Sequence, residues 1–176
     1  MAAMLQSINP VNEDLIKEYK EHTDSEIEEI VNKSEKAFNN WQSFDYSERT
    51  KLMNKAGDIL RDNIDEYAEL MTREMGKPIS GAKAEVEKCA WVCDYYAENG
   101  ESFLEDEIIE TDAQKSFVTY EPLGTVLAVM PWNFPFWQVF RFAVPGLMAG
   151  NAGLLKHASN VTGCALAIED IFRKAG

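Results

Sequence analysis

The sequence predicts an α/β chain, with a helical N-terminal layer packed on an incomplete parallel sheet and a β hairpin arm projecting from the join. Three observations carry this. Up to about residue 100 the apolar residues recur at helical spacing in successive stripes. From Thr125 to Met130 they become almost continuous and partly β-branched, as in a buried parallel strand. Beyond that, helical spacing, a second apolar strand and a last helical stripe give strand–helix–strand–helix, and the right-handed crossover puts both strand ends on one edge. Two parallel strands rarely form a stable sheet alone, so strands are expected to be missing.

Residues 1–20 read as an extended lead-in, with Ile8–Asn9–Pro10 a short edge strand because proline tolerates an edge but not a central ladder. Thr23 and Glu26 have capping-box spacing. Behind them Ile27, Ile30, Val31, Ser34, Ala37, Phe38 and Trp41 share one helical face. Phe44 and Asp45 make a break, after which Ser47 can cap the next helical region. Its apolar set is Leu52, Ala56, Ile59, Leu60, Ile64, Tyr67, Ala68, Met71 and Met75, with a change of direction expected near Asp62–Asn63. Gly76 and Pro78 end it in the usual order. A third region turns Ala82, Val86, Cys89, Ala90, Cys93, Tyr96 and Ala97 inward and closes at Gly100. Residues 105–110 and 115–121 read as the hairpin around Thr111–Asp112–Ala113–Gln114, an arm with little core of its own and an edge that another surface should cover. Helix is expected from about Phe136 to Met148, strand over Ala152–Leu155, and helix again over 161–174 with Cys164, Ile168, Ile171 and Phe172 inward.

Charge is unevenly placed. The chain has 30 acids and 17 lysines and arginines in 176 residues, a net charge of -13. Beyond residue 120 the acids are Glu121, Glu169 and Asp170 and the bases Arg141, Lys156, Arg173 and Lys174, so the first 120 residues hold 27 acids against 13 bases. An acidic helical half repels a phosphate backbone, which argues against a nucleic-acid partner. The acids themselves read as a solvated, solubilising face. Three cysteines without metal-ligand spacing and two distant histidines offer no metal site, and Cys89, Cys93 and Cys164 read as small core residues. No arginine-rich or apolar targeting segment and no run of ~20 apolar residues is present, so a cytoplasmic, reduced setting without a membrane partner is expected.

Pro131 and Pro135 bracket Trp132, Asn133 and Phe134, and two fixed φ angles hold such a loop rigid. The Asn133 amide either donates to a ligand oxygen or satisfies its own turn. Lys156 follows four apolar residues where a strand would leave the sheet. It either reaches ribose hydroxyls or phosphates or flanks the next helix at the surface. Ser159 and Asn160 stand where either can cap the last helix, and Ser159 is near enough to Lys156 to share a ligand. Arg141 lies in an otherwise apolar helix, Trp137 through Leu147, and needs an acidic side chain or a ligand carboxylate. No phosphate-cradling glycine fingerprint and no nucleophile–base pair is present.

These residues resemble the aldehyde dehydrogenase superfamily, most closely its succinate-semialdehyde dehydrogenase-like members. The resemblance rests on Glu121–Pro122–Leu123–Gly124, Pro131–Trp132–Asn133–Phe134–Pro135, Ala149–Gly150–Asn151, Lys156–His157–Ala158–Ser159 and Met75–Gly76–Lys77–Pro78, and covers essentially the whole chain. It implies a Rossmann-like sheet and a division into 1–104 (helical part of the cofactor-binding domain), 105–121 (arm used in oligomerisation) and 122–176 (start of the NAD(P)-binding domain). It implies Asn133 as the oxyanion-hole amide. Met130, Pro131 and Trp132 would line the nicotinamide-side cleft, Lys156 and Ser159 would meet the adenosine ribose, and Phe134, Trp137 and Arg141 the substrate. Many NAD-preferring members carry a glutamate where Ser159 stands, so NADP or NAD is expected, with NADP tolerated or preferred. Arg141 matches a position that pairs with the distal carboxylate of a semialdehyde. The resemblance implies oxidation of a small carboxylated aldehyde through a cysteine thiohemiacetal. The family's catalytic cysteine and general-base glutamate match nothing in these 176 residues, so the chain alone is expected to be inactive. The alternative is a non-enzymatic remnant that acts as a structural or oligomer-forming protein.

Overall fold

The computed structural model describes residues 4–176, so the first three residues of the expected lead-in lie outside the described residues. The chain begins with a hairpin, β1 (Met4–Ile8) and β2 (Leu15–Lys20), paired antiparallel. The short edge strand expected at Ile8–Asn9–Pro10 lies earlier: β1 ends at Ile8, and Asn9 and Pro10 belong to the turn into β2, which the sequence did not single out. In β2 charged residues interrupt the apolar ones, and Lys17, Glu18 and Lys20 are exposed. The hairpin is pinned instead by buried Ser7, whose hydroxyl donates to Glu74 Oε1 at 2.7 Å.

Four helices follow. The capping box is present at the start of α1 (Asp24–Trp41), where Thr23 N–H donates to the Glu26 carboxylate at 2.7 Å. Its apolar stripe is only half covered, with Ile27 48% and Val31 47% exposed, although α1 lies against the later parallel pair. The cap of α2 (Tyr46–Asp62) is Asp45, not Ser47. A carboxylate at the residue before the helix accepts from Glu48 N–H at 2.8 Å, and the Ser47 hydroxyl merely donates to it. The direction changes at Asn63, and α3 (Ile64–Met75) closes on Gly76 in the left-handed conformation, φ 72°. Pro78 then opens α4 (Ile79–Asn99), whose Ala82, Val86, Cys89, Ala90, Cys93 and Ala97 are all buried.

The arm is present but short, Glu107–Ile108 (β3) against Phe117–Val118 (β4), and almost every residue from 105 to 121 is exposed. Beyond it come β5 (Thr125–Met130), α5 (Trp137–Met148), β6 (Ala152–His157) and α6 (Thr162–Ala175). β5 and β6 pair in parallel with Val129 opposite Lys156 and Met130 opposite His157. β6 therefore runs two residues further than its apolar run suggested. The main core lies among helices: Leu60, Met71, Val86, Cys89, Phe136, Phe140, Val144, Met148 and Ile171 are fully buried together. α2 and α4 pack on α5, and α2 and α3 on α6, so the helical layer meets the sheet through the crossover helix α5 and through α6, while α1 touches the strands directly.

The Ala149–Gly150–Asn151 turn has a purely geometric explanation. Gly150 takes φ 87°, and a Cβ there would sit 3.2 Å from the Arg49 guanidinium, which donates to Met148 O at 3.1 Å. Asn151 Oδ1 accepts from Leu123 and Gly124 N–H at 2.7 and 3.2 Å, tying the start of β6 to the lead-in of β5. This end of the sheet is remote from the rim where both strands finish.

Candidate functional site: the rim beyond the parallel strands

Where β5 ends, Pro131 to Phe136 turns into α5, and the turn is held from below by three side chains that sequence reasoning did not single out as site residues. Glu85 of α4 is buried, and its Oε1 accepts the N–H groups of Phe136 and Trp137, each at 2.9 Å. These are orphan donors at the start of a helix, where a carboxylate is doubly favourable. Glu85 Oε2 pairs with Lys77, which also donates to Asn133 O at 3.4 Å and stands 3.7 Å over the Phe134 ring. His157, at the end of β6, accepts from Ala158 N–H through Nδ1 at 2.8 Å. Its Nε2 therefore carries the proton and donates to Pro135 O at 2.8 Å. Burial holds the His157 imidazole below its ordinary pKa, which keeps it in the neutral form this contact uses.

Pro135 and Phe136 are fully buried, while Pro131, Trp132, Asn133 and Phe134 are exposed at the rim. The turn divides two recesses. Trp132 lines one of about 420 Å3, with Asn160, Ile8, Pro10, Glu74 and Met75 as its other walls. Phe134 lines the other, of about 370 Å3, with Trp137, Gln138 and Arg141 from α5 and Gly81, Ala84, Glu85 and Lys88 from α4. Asn133 falls between them in the chain.

Lys156 is exposed one residue before the end of β6, and Ser159 is exposed in the short turn Ser159–Val161 beyond it. Met130, Pro131, Trp132 and Asn133 thus share one sheet edge with Lys156 and Ser159, whereas Phe134, Trp137 and Arg141 gather in the second recess. Neither Ser159 nor Asn160 caps α6. Buried Glu74 does so from α3, accepting from Gly163 and Cys164 N–H at 2.9 and 2.8 Å. Arg141 is exposed rather than buried, and among the described residues no acidic side chain pairs with it. The expected partner within the helix layer is therefore not needed.

The burial of Glu74 and Glu85 corrects the reading of the acidic half as one solvated face. A signal was present: Glu85 is in phase with Ala82 and Cys89, and Glu74 with Tyr67 and Met71, so each acid falls on a buried stripe. Cys89, Cys93 and Cys164 are all buried, and desolvation pushes every one of these thiols up, leaving none suited to nucleophilic attack. Among the described residues no group of three or more His, Cys, Asp or Glu could hold a metal, and no helix is long and apolar enough to cross a membrane.

Parallel strands that end in a proline-bracketed turn and a lysine, with helices packed behind them, have the layout of the carboxyl edge at which open α/β sheets present ligands. The chain belongs to the aldehyde dehydrogenase family, whose pattern it matches over residues 2–176. It is 51% identical over 172 residues to a probable NADP(+) succinate-semialdehyde dehydrogenase of Synechocystis sp., and 43% identical over 175 residues to succinate-semialdehyde dehydrogenase [NADP(+)] 1 of Mycobacterium tuberculosis. In each case 98% of this chain covers 38% of the relative. The succinic semialdehyde dehydrogenase of Streptococcus pyogenes, solved in complex with NADP+, superimposes with a TM-score of 0.94 at 34% identity, over 98% of this chain and 38% of that one. The chain spans about two-fifths of the length of the relatives it matches.

Proposed function

We propose that this chain is part of an NADP-using aldehyde dehydrogenase that oxidises a small carboxylated aldehyde, contributing the floor of the cofactor cleft and one wall of the substrate passage. The supporting observation is the turn Pro131–Phe134, which sets Trp132 and Phe134 into different recesses with Asn133 between them. Such a divide lets cofactor and aldehyde approach one centre from two sides. The similarity to NADP(+) succinate-semialdehyde dehydrogenases points the same way.

In this reading the Asn133 amide donates to the aldehyde oxygen as it gains negative charge, and the Glu85–Lys77–His157 clamp keeps that donor in place. Lys156 and Ser159 hold the adenosine ribose. A hydroxyl at 159 fits the residue set to NADP, because no carboxylate there repels a 2′-phosphate. The bound cofactor supplies the hydride acceptor. Met130, Pro131 and Trp132 line its nicotinamide side, and Phe134, Trp137 and Arg141 meet the substrate, the guanidinium facing its distal carboxylate. Aldehyde, NADP+ and water give acid, NADPH and a proton. The nucleophilic thiolate and the general base come from outside these 176 residues, so the chain alone does not turn over.

We divide the chain functionally as 1–104, 105–121 and 122–176. The exposed arm, with Leu127 and Val129 of β5 64% and 66% exposed, supports association with further protein surface. We expect a homo-oligomer in the cytoplasm. The deciding experiment follows NADPH formation from succinate semialdehyde, with the complete polypeptide carrying this sequence and with the 176-residue chain. Activity in the first alone supports the proposal. An inactive complete polypeptide, or turnover by the chain alone, refutes it.

A further inference from the structure

The second recess holds one charged residue to which the proposed function gives no role. Lys88, on the exposed side of α4, lines it opposite the α5 residues, and its Nζ stands 4.0 Å from the centroid of the Trp137 ring. Trp137 and Arg141 are one helical turn apart on α5 and both line the recess, so two helices each contribute a cation to its walls. Lys88 has no acidic partner among the described residues, and neither does Arg141. The one acid in the recess wall, Glu85, is committed to Lys77 and to two backbone N–H groups. The recess therefore presents two positive charges with no acid free to answer them, over an aromatic floor that restrains the lysine.

We propose that Lys88 is a second cationic contact for the anionic end of the substrate, acting with Arg141 from the opposite wall. The ligand class is a short chain ending in a carboxylate: the aromatic floor takes the methylenes, and the two cations take the charge. The word substrate rests on the aldehyde-oxidising reading, but the anion preference of the recess does not. It can be measured without turnover.

The test titrates succinate into the 15N-labelled chain and follows the Trp137 indole N–H resonance, with succinamide as the uncharged control. A saturable shift with succinate, at least about fivefold weaker in Lys88→Met and recovered in Lys88→Arg, is expected, since one charge contact of about 1 kcal/mol corresponds to that factor. Lys88 is exposed, so its truncation leaves the core intact. Equal succinate affinity in Lys88→Met overturns the proposal, as does equal binding of succinamide or no saturable shift up to about 100 Kd-equivalents of a ~1 mM site. A chain that binds succinate as expected while the complete polypeptide fails to oxidise the aldehyde would sink the functional reading and leave the recess standing.

Discussion

Glu85→Ala should be among the most damaging single substitutions in the chain, although the residue is an acid on a helix that the charge pattern suggests is solvated. Its side chain is 1% exposed and that of its partner Lys77 11% exposed. Truncation removes the acceptor of two N–H groups at 2.9 Å and leaves the Lys77 ammonium without its carboxylate. An unpaired buried donor costs about 1–3 kcal/mol, and breaking a buried ion pair from one side about 3–5 kcal/mol. These losses share one carboxylate and do not add, so the expected total is about 3–5 kcal/mol. Each kcal/mol moves the midpoint of a domain this size by about 2–4 °C, so Tm should fall by about 6–20 °C. Glu85→Gln keeps an oxygen for the two N–H groups and should lose about 1–2 kcal/mol, the difference between charged and neutral hydrogen bonds. Urea unfolding followed by circular dichroism measures both, and hydrogen exchange at Phe136 and Trp137 reports the turn directly. A Glu85→Ala chain within about 1 kcal/mol of the original, with unchanged exchange at those two amides, would refute the clamp.

Other outcomes follow from neighbouring contacts. His157 titrates below its ordinary value in the folded chain, so the unfolded state binds more protons as pH falls through about 6.5. Its contribution to stability is complete above that pH and is lost below it, and His157→Gln should flatten this part of the pH–stability curve. In Gly163→Ala a Cβ would lie 2.7 Å from Glu74 Oε1, forcing the carboxylate off the α6 amides at a cost of about 1–3 kcal/mol in urea unfolding. Ser159→Glu in the complete polypeptide should lower the NADP-to-NAD ratio of kcat/KM by about tenfold or more, because a carboxylate then faces the 2′-phosphate; an unchanged ratio would remove Ser159 from the cofactor.

Much of this molecule is legible in its sequence because the signals are local. The inward stripe of α4 follows from helical spacing, and the break at Asn63 and the stop at Gly76 follow from cap chemistry. The apolar, partly β-branched run of β5 and the apolar Ala152–Leu155 of β6 read as strands, but they are not buried ones: with a single partner strand each, Leu127 and Val129 stay 64% and 66% exposed. What escaped depends on contacts across the chain. Ser7 reaches Glu74 over 67 residues and Glu85 reaches Phe136 over 51, and no window of sequence contains both ends. β2 gains its place by pairing with β1 rather than by its own pattern. α1 shows the converse: its stripe has the right period, yet Ile27 and Val31 stay half exposed because period alone does not supply a surface to cover them. The motif foretold that Met130–Asn133 and Lys156 stand at the strand ends, whereas the contacts of Glu85, Lys77 and His157 beneath the turn, and of Lys88 with Trp137, were not legible.

The account turns on Asn133 being the donor that the rim exists to present. Asn133→Ala in the complete polypeptide tests this most directly, through kcat for succinate semialdehyde with NADP. Asn133 is exposed and, among the described residues, only its backbone oxygen makes a hydrogen bond, so Tm should hold while kcat falls about 10²–10³-fold, as for loss of one oxyanion donor. A kcat within about threefold of the original, in a variant that still binds NADP, would contradict it.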